Sequence, residues 1–120
     1  MDDRYVVLTG VTSGIGLALV KNFAKRYSNS YRLHLCVTCR NLTKGRNLKM
    51  QLEDKYSNVA VTLVEIDMNS IHSILKASKV IAEAHSRIDC MYLNAGIMPV
   101  TSVNWGNILK MLSILIYFTC

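Results

Sequence analysis

Three glycines stand where a buried strand hands over to a helix, and that junction leaves few folds open. Tyr5-Val6-Val7-Leu8-Thr9 is apolar and β-branched, as a strand buried on both faces requires. The turn Gly10-Val11-Thr12-Ser13 follows, and from Gly14 the pattern becomes helical. Ile15, Leu17, Ala18, Leu19, Val20 and Phe23 form an apolar stripe that ends near Tyr27. Each glycine has a physical task at such a junction. Gly10 permits a tight turn off the strand, Gly14 lets backbone approach a pyrophosphate, and Gly16 lets the helix pack close to the sheet. The helix N-terminus offers unpaired N–H groups and the positive end of its dipole to phosphate oxygens. Strand, glycine turn and helix together predict a dinucleotide site; the alternative is a glycine-rich turn that holds no ligand.

The rest of the chain repeats the alternation. Ser28-Asn29-Ser30 is a loop and Leu33 to Thr38 a second strand. Asn41 caps a polar helix from Leu42 to about Tyr56, and Val59 to Ile66 alternates as a third strand. Asn69 or Ser70 caps a helix to about His85, whose inner side is Ile71, Ile74, Leu75, Ala77, Ser78 and Ile81. Ile88 to Leu93 is a fourth strand. The order βαβαβαβ predicts an α/β fold: a three-layer Rossmann-type parallel sheet with right-handed crossovers and helices on both faces. No linker divides the chain, and its 120 residues, 51% of them apolar, suit one small core. Only 18% are charged, which excludes a disordered chain. After Pro99 the regularity fades, and the apolar residues beyond Asn104 come in a block rather than a stripe.

Charge is unevenly placed. No carboxylate lies between Arg4 and Leu52, a stretch that holds Arg4, Lys21, Lys25, Arg26, Arg32, Arg40, Lys44, Arg46 and Lys49, and the net charge is +6. Such a half-chain wants an anionic partner, either phosphate on a small cofactor or nucleic acid. Nucleic-acid binding requires cations on one face with aromatics between them. These cations are scattered over the first two helices, so no nucleic acid is expected.

The start, Met1-Asp2-Asp3-Arg4, is acidic and has no signal-peptide character, so Cys36, Cys39, Cys90 and Cys120 are expected as free thiols in a reducing compartment. Cys36 and Cys39 have a redox-motif spacing, but three residues along a strand place them on opposite faces. They also lack an activating helix N-terminus. His34, His72 and His85 show no ligand spacing, so no metal is expected. The longest apolar run, Met111 to Cys120, falls short of the roughly 18 residues that a membrane span needs.

The end of the second strand decides which dinucleotide fits. A site for NAD places an acid there on the ribose 2′-OH, whereas a site for NADP has an arginine. Here the strand ends in Cys39-Arg40 with no acid in reach. Arg40 is the candidate for a 2′-phosphate, with Lys44 and Arg46 adding positive field, so NADP(H) is expected over NAD(H). The alternative is that Arg40 is a solvated surface charge. Asp67, Asn94 and Gly96 fall at the carboxyl ends of strands three and four, where open α/β sheets bind ligands. Asp67 is placed to accept from an adenine amino group, and Asn94-Ala95-Gly96 to bring backbone near the second ribose. Spacing alone allows each to be a turn residue instead.

With these motifs, the chain resembles the short-chain dehydrogenases/reductases. Thr-Gly-x3-Gly-Ile-Gly matches at 9–16, the strand-end Asp at Asp67 and Asn-Ala-Gly at 94–96, although Leu93 stands where Asn is commoner. Three stretches, Ser13 to Leu19, His34 to Asn41 and Ile88 to Pro99, are most similar to the family's keto-steroid reductases. The resemblance implies an NADPH-dependent reductase of keto groups on steroids or sterol precursors, either cytosolic or associated with the endoplasmic reticulum membrane. It implies a cofactor site of Thr9, Gly10, Thr12, Ser13, Gly14, Ile15, Gly16, Arg40, Asn41, Asp67, Met68, Asn94, Ala95 and Gly96.

The family's chemistry also needs a tyrosine acid with a lysine four places later, and a serine on the carbonyl, because hydride addition leaves an alkoxide to be protonated. The tyrosines at 5, 27, 31, 56 and 92 are followed at that spacing by Thr9, Tyr31, Leu35, Ala60 and Gly96. No catalytic residue is therefore expected. The expectation is a cofactor-binding half-domain over 1–100 and a divergent apolar tail over 101–120, inactive alone. The alternative is a non-catalytic half-domain that self-associates or pairs with another reductase chain.

Overall fold

The computed structural model describes residues 1–95. Expectations for Gly96, for the chain beyond Pro99 and for Cys120 lie outside the described residues. Strand β1 (Asp2–Thr9) is followed by α1 (Gly14–Tyr27), β2 (Tyr31–Cys39), α2 (Leu42–Lys55), β3 (Val59–Glu65), α3 (Ile71–Ala84) and β4 (Cys90–Tyr92). All pairings are parallel and the strand order is β3-β2-β1-β4. The all-parallel sheet with alternating helices is the Rossmann-type architecture that the alternation predicts.

Period-two alternation sorts the strand residues into two cores. Val6, Leu8, Leu35, Val37 and Val61 pack with Val20 and Ala24 of α1 and with Leu48 and Leu52 of α2. Val7, Cys36, Val64 and Ile66 pack on the opposite face against Ala77 of α3. Leu35 is fully buried among these residues. Its truncation to alanine would cost about 2–5 kcal/mol through lost transfer energy and a cavity. Glu53 fastens α2 to the sheet: its Oε1 accepts from Val61 N–H (2.8 Å) and from Lys49 Nζ (2.9 Å).

Three local expectations shift. β1 and β2 run longer than their apolar segments, because in-register pairing from Asp2↔Tyr31 to Thr9↔Thr38 recruits polar ends. Asp3 is held there by His34 Nε2 (3.1 Å) and Arg32 Nε (3.5 Å). β4 is shorter than expected and pairs only along Val6–Leu8 of β1, leaving Ile88 and Leu93 exposed. The expected inner side of α3 is largely open: Ala77 is buried, but Ile71 is 78% and Leu75 57% exposed. α3 alone covers its face of the sheet among the described residues, so most of its apolar stripe has nothing to pack on. Cys36 and Cys39 are free thiols as expected.

Among the described residues, no helix is long and apolar enough to cross a membrane. Asn41 caps α2 and Ser70 caps α3, each through its side-chain oxygen.

Candidate functional site

The carboxyl ends of all four strands converge on a cleft of about 600 Å³. Its nearest wall is the turn from β1 into α1. Gly10 takes φ +65°, and a Cβ there would stand 2.8 Å from Ala95 Cα, so turn and β4 end are in direct contact. Gly14 takes φ +57° with open space where a side chain would be. That is the backbone state in which glycine is at no disadvantage. A Cβ on Gly16 would collide with the Gly10 carbonyl and stand 2.5 Å from Asn94 Nδ2. The close packing expected of Gly16 against the sheet is therefore made against the first residue beyond β1.

The start of α1 differs chemically from those of α2 and α3. Its N-cap, Ser13, makes no side-chain cap hydrogen bond, whereas Asn41 and Ser70 do; none of the three helices has an acid in its first turn. Ser13, Ile15 and Gly16 line the cleft. First-turn N–H groups without a side-chain acceptor, together with the positive dipole end, suit an anion there.

Thr9 lies behind the cleft rather than on it. Its buried Oγ1 accepts from the backbone N–H of Asn94 and of Ala95, both at 3.0 Å, and the hydroxyl donates to Tyr92 O at 3.4 Å. Asn94 Nδ2 donates to Gly10 O at 3.1 Å. These bonds hold the end of β4 against the glycine turn. Asp67 is at the rim, where its Oδ1 accepts from Asn69 N–H at 3.0 Å, and its own N–H donates to Ser73 Oγ at 2.8 Å.

Of the residues expected at the site, Gly10, Thr12, Ser13, Ile15, Gly16, Arg40, Asp67, Met68, Asn94 and Ala95 line the cleft. Gly14 shapes the turn without lining it. Asn41 also lies off it, with Oδ1 accepting from Thr43 N–H (3.0 Å) and Lys44 N–H (3.3 Å) as the cap of α2. Thr38, Cys39, Ile66 and Asn69 line the cleft without having been anticipated. Their position at the ends of β2 and β3 was the available signal. Burial pushes both thiols up, Cys36 to about 11, and Glu65 adds to the rise at Cys39. Neither is therefore a ready nucleophile. Among the described residues, no group of three His, Cys, Asp or Glu side chains could hold a metal ion.

The sequence matches the short chain dehydrogenase family over residues 4–114. The chain belongs to that family. It is 40% identical over 101 residues to the 3-keto-steroid reductase/17-beta-hydroxysteroid dehydrogenase 7 of Homo sapiens, an alignment that covers 84% of this chain and 29% of that protein. The Rattus norvegicus protein of the same name is 35% identical over 84% of this chain and 29% of its own. The chain thus spans under a third of the length of these relatives. Among solved structures, a short-chain dehydrogenase from Sphingobium yanoikuyae in complex with NADPH is 28% identical, with a TM-score of 0.64 over 78% of this chain and 34% of that one. The short chain dehydrogenase fold accounts for the sheet order, for the glycine turn at the end of β1 and for the cleft above it.

Proposed function

We propose that this chain is the NADP(H)-binding N-terminal portion of a keto-steroid-reducing short chain dehydrogenase, and that it does not turn over substrate by itself. The observation that carries the cofactor reading is Arg40, which lines the cleft just past β2, a strand end that itself supplies no carboxylate for a ribose 2′-OH. The cleft fits a dinucleotide in other respects too. The uncapped start of α1 suits a pyrophosphate, and open space lies beside the Gly14 backbone. The cofactor set is Thr9, Gly10, Thr12, Ser13, Gly14, Ile15, Gly16, Arg40, Asn41, Asp67, Met68, Asn94, Ala95 and Gly96. Thr9 and Asn41 act in it by shaping the walls. Bound NADPH would supply a hydride, and the residues named here bind and orient it.

The substrate class follows the human relative, a 3-keto-steroid reductase by name, at 40% identity. The reading of no turnover rests on the sequence, in which none of Tyr5, Tyr27, Tyr31, Tyr56 and Tyr92 is followed four places later by lysine. The division into a half-domain over 1–100 and a tail over 101–120 belongs to the same reading; the family match itself runs on to residue 114. A cytosolic location or association with the endoplasmic reticulum membrane is the localisation that accompanies it.

The test is a titration of the chain with NADPH, followed by a ketone-reduction assay with a 3-keto-steroid. One equivalent bound with no oxidation of NADPH is the expected result. Steady turnover would overturn the inactive reading, and absence of saturable binding would overturn the cofactor reading.

A second reading is that the half-domain pairs with another polypeptide. The exposed apolar side chains of α3, Ile71 and Leu75 foremost, favour it. Sedimentation of a clean monomer, with a cooperative melt, would contradict that reading.

A further inference from the structure

A second cleft, of about 420 Å³, opens beside the first, and Arg40 lines both. Val64, Ile66 and Ala77 give it a buried apolar floor. His72 and Lys76, one helical turn apart on α3, are exposed and line the same cleft as Arg40. These basic side chains come from two directions, Arg40 off the end of β2 and His72 and Lys76 off α3.

Two carboxylates, Glu65 and Asp67, also line this cleft. Asp67 is engaged in the turn into α3, where Oδ1 accepts from Asn69 N–H. Among the described residues, no carboxylate forms an ion pair with Arg40, His72 or Lys76. With Asp67 turned to Asn69 and Glu65 beside Cys39, the guanidinium, imidazole and ammonium over an apolar floor suit one kind of ligand. It is a phosphate monoester carried beside a flat apolar ring. The guanidinium offers a planar fork, and the ammonium a compact point charge.

We propose that His72 and Lys76 are specificity-determining residues for the 2′-phosphate of NADP(H), which they hold together with Arg40 at the edge shared by the two clefts. This rests on the NADP(H) reading above and adds to it a second element, α3, that discriminates the two dinucleotides. Helix α3 thereby connects the cofactor's outer end to the side of the sheet opposite α1 and α2.

The experiment is a fluorescence titration of the chain and its variants with NADPH and with NADH, with 2′,5′-ADP and 5′-AMP as a second pair. Lys76→Gln and His72→Gln are each expected to weaken NADPH and 2′,5′-ADP by about 5-fold and to leave NADH and 5′-AMP unchanged, as fits the loss of one exposed polar contact to the phosphate. Lys76→Arg should retain most of the preference. Both residues are exposed, and circular dichroism of each variant reports whether α3 is intact.

Unchanged NADPH affinity in both variants would overturn the inference. If Arg40→Ala then still abolished the preference, the NADP(H) reading would stand with Arg40 alone. Equal losses for NADPH and NADH would also overturn it, since they mean a structural role. Loss of the preference in none of the three variants would remove both readings together.

Discussion

Thr9 Oγ1 stands 3.0 Å from the backbone nitrogens of both Asn94 and Ala95, and accepts a hydrogen bond from each. One hydroxyl at the end of β1 therefore fixes the path of the chain after β4, more than eighty residues later. It also fixes one wall of the cleft, since Asn94 and Ala95 line it. Thr9→Val keeps the shape and removes the acceptor. The expected outcome is a loss of about 1–3 kcal/mol in a urea melt, the penalty for part-buried N–H groups left unpaired. Dinucleotide affinity should fall with it, and Thr9→Ser should restore both. A valine variant with unchanged stability and affinity would show that the tie is dispensable.

The two inner glycines of the turn differ in why they are glycine. Gly16→Ala places a methyl group on the Gly10 carbonyl and Asn94. It should cost about 1–3 kcal/mol through displaced backbone and weaken dinucleotide binding by at least about 10-fold. Gly14→Ala meets no atom and carries only the strain of φ +57°, about 1–2 kcal/mol. Urea melts and titrations of the two variants would be expected to show the larger binding loss at Gly16. The opposite order would contradict the close approach of α1 to the turn.

Glu53 makes stability pH-dependent. Burial raises its pKa, but the hydrogen bonds from Lys49 and Val61 N–H and the Lys49 charge outweigh it, so the carboxyl sits below its ordinary 4.5. Its contribution is therefore complete above 4.5, and is lost as pH falls through the lowered folded value. Glu53→Gln should be less stable than the parent by about 1–2 kcal/mol at pH 7, with the gap closing in acid. Thermal melts at pH 7 and pH 3 give the comparison. An equal gap at both would mean that the carboxylate charge is irrelevant.

Cys36 is fully buried and its thiol is pushed up to about 11. At pH 8 it is protonated and inaccessible, so native chain exposed to iodoacetamide should remain unlabelled at Cys36 while denatured chain is labelled. Rapid native labelling at Cys36, read by peptide mass spectrometry, would contradict the packing of the face that α3 covers.

What was legible in the sequence was largely what depends on local pattern. The β1 run, the glycine turn and the α1 stripe announced the first βαβ unit, and Asn41 and the pair Asn69-Ser70 announced two helix starts by their capping chemistry, of which Ser70 is the cap of α3. Arg40 was readable because its place, at the end of β2, follows from strand length. Long-range relations were not readable. The task of Thr9 depends on backbone groups at 94 and 95, and no local window contains both. The exposure of Ile71 and Leu75 was hidden for a similar reason. Periodicity shows that α3 has an apolar side, but not how much of that side a neighbour covers. β4 came out short because Ile88 and Leu93 look like strand residues but lack paired positions on β1. Thr38 and Ile66 went unnoticed at the cleft because they read as strand core, and only the convergence of strand ends makes them lining residues.

Arg40 is where the account is most exposed. Calorimetric titration of the chain and of its Arg40→Asp variant with NADPH and with NADH tests it directly. The account predicts that the parent prefers NADPH by about 10- to 100-fold, the worth of a charge-assisted contact of about 1.5–3 kcal/mol, and that the variant loses or inverts this preference. Equal affinity of the parent for both cofactors, or a preference unaltered by Arg40→Asp, would contradict it.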